Sequence, residues 1–305
     1  MRFYPEGKLF ETSENLEMIS SQAQLEYCRR NSTILEAVAY ICDKEHNLHV
    51  KLPCMNAIIP RSEGALGIDN GTTRDIALIS RVNKPVCFTV SHFTTDTNGN
   101  PLAVLSRKNA QQLCMNNYVS KLENGRIINA RVTHLEQFGA FVDIGCGIPS
   151  LIPIDVISIS RIGHPSDRFI VGQDVKVIVK GWNEGKLWLS HKELLGTWSE
   201  NASQFSMGET VTGIIRSIED YGIFVELTPN LAGLAEVRPN TKIGQSVSVY
   251  IKSIIPEKMK IKLIIVETFD KTLEKVPIKY FIESGQITNW VYSTENSIKQ
   301  ISTEF

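Results

Sequence analysis

Apolar and polar residues alternate with a period of two along much of this chain, in short runs broken by Gly, Pro and polar turns. Leu48, Val50 and Leu52 alternate with His49 and Lys51, Val86, Phe88 and Val90 follow the same rule, and Ala103-Val104-Leu105-Ser106 closes the stretch. Period two marks a strand with one buried face. Two kinds of segment interrupt it. Residues 12–30, after Thr12-Ser13-Glu14, carry scattered Leu16, Ile19, Leu25 and Tyr27 and predict a short amphipathic helix. Residues 106–124 hold neither Pro nor Gly and predict a linking helix, and a second helical connector is expected over 191–206.

The strand pattern repeats. Phe138-Gly139-Ala140-Phe141-Val142-Asp143 returns 83 positions later as Tyr221-Gly222-Ile223-Phe224-Val225-Glu226. Each copy is followed by a second shared phrase, Val171-Gly172-Gln173-Asp174-Val175-Lys176-Val177 and then Ile243-Gly244-Gln245-Ser246-Val247-Ser248-Val249. A period above 50 residues that contains several strands predicts tandem small barrels rather than a solenoid. Five short strands in about 70 residues suit the five-stranded Greek-key barrel called the OB-fold. The expected fold is therefore mainly β: an N-terminal helical segment (1–30), a degenerate barrel (31–110), a second barrel (125–195), a third (208–267) and a small C-terminal appendage (268–305) of no assignable fold.

A small barrel fills its interior with side chains, so the aliphatic face of each strand points inward. Val142 and Ile144 then face in, with Phe141 and Asp143 out. Phe138 has the opposite parity, and a one-residue bulge at Gly139 would bring it to the outer face. Val175, Val177 and Val179 face in, leaving Lys176 and Lys180 outside, and Leu187 and Leu189 leave Lys186 and Trp188 outside. The third barrel follows suit, with Phe224, Glu226, Tyr250, Lys252, Lys260 and Lys262 outward. Rings beside ammonium groups suit single-stranded RNA: a stacked base contributes on the order of 1–3 kcal/mol, and lysines neutralise phosphates. Two readings stand for Trp188, stacking on RNA or packing against a connector helix, and the bland reading of Lys262 is a solvated face. Two readings also stand for His164 and Arg168, in or just after a polar loop: contact with RNA, or the solvent-facing position more usual for such a cluster. Glu219 and Asp220 read as a turn signal rather than a catalytic pair.

The chain has 305 residues, 42% hydrophobic and 21% charged, with a net charge of −1. That balance argues against gripping duplex nucleic acid by bulk charge, but single-strand binding shares the load with stacking. The six cysteines form no C-x-x-C pair, which predicts reduced thiols in a cytoplasmic protein and no zinc site. No apolar run approaches the length of a membrane span, and no signal-peptide h-region is evident. There is no phosphate-binding glycine loop, nucleophile elbow or metal-ligand spacing, so neither an enzyme nor a cofactor is expected.

The second module resembles the S1 RNA-binding domain, through Gly125, Phe138-Gly139-Ala140-Phe141-Val142, Val171-Gly172-Gln173-Asp174-Val175 and Gly185-Lys186-Leu187-Trp188-Leu189-Ser190. The third is similar through Gly208, Tyr221 to Val225, Gly233-Leu234 and Gly244-Gln245, and the first only through Ala57 to Glu63 and Pro101 to Arg107. The likeness covers roughly residues 31–267, and the chain resembles short forms of the bacterial ribosomal protein S1 family. The resemblance implies RNA binding on one barrel face, with mRNA at the 30S ribosomal subunit. It places stacking rings at Phe138, Phe141, Tyr221 and Phe224, basic residues at Lys186 and Lys260, and a polar residue at Asn183. Where the family often has His on the third strand, this chain has Pro153 and Glu236. Neither copies that contact and Glu236 repels phosphate, so the second barrel is expected to be the main RNA contact. The first lacks the aromatic pair and is expected to dock the ribosome or a ribosomal protein. The alternatives are a regulatory RNA-binding protein outside the ribosome, and a protein-interaction module that has lost RNA affinity.

Overall fold

The structure, a computed structural model, describes residues 2–183, 185–269 and 278–305. It contains three closed five-stranded barrels, as the strand pattern predicts. The first is built from β1 (Leu35–Cys42), β2 (Leu48–Lys51), β3 (Asn56–Ile59), β4 (Lys84–Thr95) and β5 (Pro101–Ser106). The second uses β6 (Ile127–Glu136), β7 (Gly139–Asp143), β8 (Pro149–Pro153), β9 (Asp174–Asn183) and β10 (Lys186–Ser190). The third uses β11 (Thr210–Glu219), β12 (Gly222–Thr228), β13 (Leu231–Ala235), β14 (Ser246–Ile255) and β15 (Lys260–Phe269). Each barrel closes the same way: its third and fifth strands pair in parallel while the remaining neighbours form an antiparallel meander. Inward positions follow the alternation, with Val50, Phe88, Val142, Val177, Leu189, Val225, Val249 and Leu263 all buried.

The chain divides into two compact units, Met1–Leu122 with Asp143–Pro149, and Glu123–Val142 with Ser150–Phe305. In the first unit the expected N-terminal helix is two helices, α1 (Ser13–Met18) and α2 (Gln22–Arg30), because Ser21 in an extended conformation caps a fresh start by accepting the Gln24 N–H. A short α3 (Ile76–Ile79) lies between β3 and β4. The linking helix α4 (Arg107–Asn117) begins at the Ser106 cap and ends in a 3-10 turn at Val119–Lys121. Carboxylates tie the N-terminal segment down. Glu36 accepts the N–H groups of Gly7, Leu9 and Phe10 at 2.9–3.0 Å. Glu6 meets the buried Arg107 at 2.6 Å and Arg81 at 3.1 Å. Burial alone would raise the Glu6 carboxyl, but the two guanidinium groups hold it below its ordinary value.

In the second unit, the connector after β10 is a 3-10 turn, Lys192–Leu195, followed by α5 (Trp198–Ala202). Gly196 at φ +82° breaks it, and a Cβ there would meet the Phe281 ring at 2.7 Å, so a single helix cannot run through this point. The C-terminal appendage carries β16 (Asn289–Val291) paired with β17 (Ser302–Glu304), and it does not stand alone. Tyr280, Ile282, Ile287 and Phe305 cover Ile127, Ile178 and Leu194 on the second barrel. Trp290 and Tyr292 enter the core of the third barrel beside Trp198 and Ile215. Residues 270–277 lie outside the described set.

Candidate nucleic-acid interface

The aromatic pair forms in both copies of the repeat. Phe138 and Phe141 meet edge to face at 5.9 Å between ring centroids and 89°, and Tyr221 and Phe224 at 6.2 Å and 89°. Phe138 is 57% exposed and Tyr221 70%, whereas Phe141 and Phe224 are half-buried. The expected bulge at Gly139 is not what exposes Phe138. Strand β7 begins at Gly139, so Phe138 stands in the turn before it and escapes the strand's alternation. The glycine has another task, since a Cβ on Gly139 would lie 2.5 Å from the Ile152 carbonyl oxygen, and one on Gly222 would lie 2.7 Å from that of Ala235. The neighbouring strand passes too close for any side chain, so only glycine fits directly after the first ring of each pair.

Register completes the face. In the third barrel Phe224 lies opposite Ser217 and Leu234, and Leu234 lies beside Lys262 across the parallel contact. In the second barrel Leu151 lies beside Trp188 in the same way. Trp188, 37% exposed, therefore occupies the place of Lys262, and Lys186 that of Lys260. Lys186 is exposed and opposite Asn183 at the end of the β9–β10 hairpin. Lys180, Lys252 and Lys260 are exposed, and Lys180 and Lys252 each occupy a register shift of the fourth strand.

Lys176 is placed differently. Its ammonium donates to the Glu283 carbonyl at 3.0 Å, with the Glu283 carboxylate at 3.7 Å, and its N–H donates to the Tyr280 hydroxyl. The appendage covers the outer side of β9 here, which strand parity cannot foresee. Three further side chains belong to or beside the face. Trp182 is 44% exposed on the same parity as Lys180, His134 stacks on Phe141 at 6.4 Å, and Lys262 stands in the Phe224 row. The Lys180–Trp182 alternation was readable in the sequence; nothing local marks His134.

Three outward positions are covered. Glu226, two residues past Phe224 on the same side of β12, is 6% exposed, paired with the buried Arg168 and with Arg216 at 2.8 Å. The solvent-facing reading of Arg168 fails for the same reason, and burial lowers its pKa. Asp143, the matching position after Phe141, is 3% exposed, and its carboxylate accepts the N–H groups of Glu6, Gly145 and Gly147. Burial and the Glu6 carboxylate push it up to about 7. Glu236 is exposed and Pro153 half-buried, leading into a 3-10 turn.

The first barrel presents another surface. Its corresponding row runs His49, Ile58, Val104, with His92 beyond. Tyr40 leans edge-on toward His49 at 6.3 Å, and Ile41 is 48% exposed. No lysine stands in that row, and Asp43 holds the His49 ring at 3.0 Å. Among the described residues no group of His, Cys, Asp and Glu could hold a metal ion, and no helix is long and apolar enough to cross a membrane. All six cysteines are free thiols.

The S1 RNA binding domain model matches residues 121–192. Small ribosomal subunit protein bS1 of Leuconostoc lactis is 33% identical over 196 residues, which cover 58% of this chain and 44% of that protein. The bS1 of Rhodopseudomonas palustris is 30% identical over 256 residues, 76% of this chain and 43% of its own. That of Staphylococcus aureus strain MRSA252 is 30% identical over 212 residues, 62% and 54%. The chain thus spans about half the length of the curated relatives it matches. A solved multidomain protein with nucleic acid binding domains from Streptococcus pneumoniae aligns over 80% of this chain and 76% of its own at 12% identity, with a TM-score of 0.26. Three barrels of one closure, a repeated glycine-led aromatic pair and relatives of this kind agree: the second barrel is an S1 RNA-binding domain, and the chain is similar over part of its length to bacterial ribosomal protein S1.

Proposed function

We propose that this protein binds single-stranded RNA, mRNA in particular, on the aromatic-and-lysine faces of its second and third barrels, in association with the small ribosomal subunit in the cytoplasm. The observation that carries the reading is the edge-to-face pair built twice, each time with one ring exposed. An edge-to-face pair leaves the outer ring's flat side free for a base, and each stacked base contributes on the order of 1–3 kcal/mol. Phe138, Phe141, Trp188, Lys180, Asn183 and Lys186 serve the second barrel. Tyr221, Phe224, Lys252 and Lys260 serve the third, where the exposed Glu236 opposes phosphate and weakens the contact. The first barrel, with a row of His49, Ile58 and Val104 in place of rings and lysines, docks a protein component of the small subunit. The test is fluorescence anisotropy of a labelled single-stranded RNA with the intact chain and with a Phe138→Ala, Phe141→Ala variant. Loss of about 2 kcal/mol or more in the variant supports the stacking face; no binding by the intact chain at low salt rejects it. Co-sedimentation with 30S subunits, with and without residues 31–110, tests the ribosomal half of the reading.

A further inference from the structure

The second and third barrels are joined by more than a connector. The 158–168 loop of the second barrel runs along the third: the Ser160 N–H donates to the Pro229 carbonyl at 3.1 Å, and Ile159 packs into the third barrel's core cluster. Asn230, fully buried, is saturated by this junction. Its Oδ1 accepts the Ile159 N–H at 3.0 Å, and its Nδ2 donates to the Lys192 and Gly196 carbonyls at 2.8 Å each. Arg168 and Asp167 of the loop meet Glu226 and Arg216 of the third barrel, two charges of each sign. The appendage then straps both barrels. Ile287 touches the clusters on either side, Trp290 and Tyr292 fill the third barrel, Tyr280 packs on the second, and the Thr303 hydroxyl donates to the buried Glu193 at 2.9 Å.

Domains joined only by a linker move freely unless a large, well-packed interface stops them. Here apolar packing supplies adhesion. The charged network and the saturated Asn230 supply register, because any displaced arrangement strands buried polar groups. Glu226 lies two residues from Phe224 on the same side of β12, so the junction abuts the third barrel's aromatic face directly.

We infer that the second and third barrels form one rigid composite site, in which a single contiguous RNA strand is held by Phe138–Phe141 and Tyr221–Phe224 at a fixed separation. The inference rests on the RNA reading and adds to it the ligand's form, one strand long enough to reach both pairs. At roughly 4–16 nucleotides per barrel, that means about 8 nucleotides or more. Fixed geometry makes the second engagement intramolecular, so affinity rises in a step with length rather than gradually.

The experiment uses the full chain. Residual dipolar couplings of the two barrels are expected to fit one alignment tensor, and two independent tensors overturn the proposal. Oligouridines of graded length are expected to show a step on the order of 100-fold. Asn230→Ala, which removes no charge and lies away from the rings, is expected to reduce that step about tenfold or more while leaving the affinity for the shortest RNA within about twofold. Equal weakening at every length overturns the proposal. If Asn230→Ala does not fold, the charge-balanced pair Arg168→Gln, Glu226→Gln takes its place with the same expectation. A single tensor with no binding of any RNA overturns the composite site through the RNA reading and leaves the rigid pair standing.

Discussion

Trp188 lies beside Leu151 across the parallel contact that closes the second barrel, with 37% of its surface open. The residue is thus fixed in the sheet by its register while more than a third of it stays open to solvent, which a stacking platform requires.

Of the chain's four tryptophans, Trp182 and Trp188 are exposed on the second barrel, while Trp198 and Trp290 are buried at 3% and 4%. Single-stranded RNA should quench the red-shifted, exposed component of the emission and spare the buried one. Trp188→Ala should remove part of that quenching and weaken binding by about 1–3 kcal/mol. Quenching of the buried component alone would place the RNA elsewhere.

Lysines on the face should register as salt dependence. Each phosphate contact on a single strand contributes about 0.7 to the slope of log affinity against log salt. Lys186→Ala should lower the slope by about that much. Lys176→Ala should leave it unchanged, because Glu283 already holds that ammonium. Equal slopes for the wild type and Lys186→Ala would remove Lys186 from the site.

His191 makes acid a specific stress on the second unit. It is fully buried, with Nδ1 2.8 Å from the Ile157 carbonyl, Nε2 3.2 Å from the Tyr280 hydroxyl, and the Phe169 ring edge-on at 5.0 Å. Burial lowers its pKa from 6.5 to about 4, with Arg168 adding to the effect. The unfolded chain takes up a proton below pH 6.5 and the folded one does not until about 4. Stability is therefore full above 6.5 and falls as pH drops through this window, by about 3 kcal/mol in all. Melting temperatures measured from pH 7 to 4 should decline less in His191→Gln; parallel declines would show that other groups dominate.

Glu6 and Arg107 are each about 95% buried, with side chains 5% and 4% exposed, in the first unit. Glu6→Ala takes away the carboxylate that meets the buried Arg107 guanidinium, leaving it the Gly64 carbonyl at 3.2 Å, and should cost about 3–5 kcal/mol. Urea unfolding of the first unit is the measurement, and a change below about 1 kcal/mol would mean that water reaches Arg107.

Gly139→Ala adds one methyl group 2.5 Å from a backbone oxygen that cannot move without shifting β8. The cost should be about 1–3 kcal/mol, accompanied by loss of the Phe138 arrangement. Thermal unfolding and RNA affinity should fall together. Full stability with full affinity would show that β8 yields at no cost.

The barrels and their paired rings were legible because they depend on local alternation and on a phrase the chain states twice. Period two separates the inside of a barrel from the outside, and it placed Phe141, Phe224, Trp188 and Lys186 correctly. It does not tell what covers the outside. Glu226, Asp143, Arg168 and Lys176 all lie on outer surfaces that another part of the chain occupies, and no spacing around them signals it. The appendage was unreadable for a related reason: Tyr280 and Trp290 serve cores that belong to other modules, so their own neighbours in sequence show no pattern. Breaks at Ser21 and Gly196 divided segments that composition alone would join into longer helices.

The strap has a consequence for the order in which the protein is made. The residues that finish the third barrel's core, Trp290 and Tyr292, and those that cover the second, Tyr280 and Phe305, are synthesised after every strand of both. During translation each barrel leaves the ribosome with an apolar face uncovered, and the face stays bare until the appendage has followed it. A chain cut short between β15 and the appendage would thus hold two nearly complete barrels with adhesive flanks, more prone to aggregate than to bind RNA.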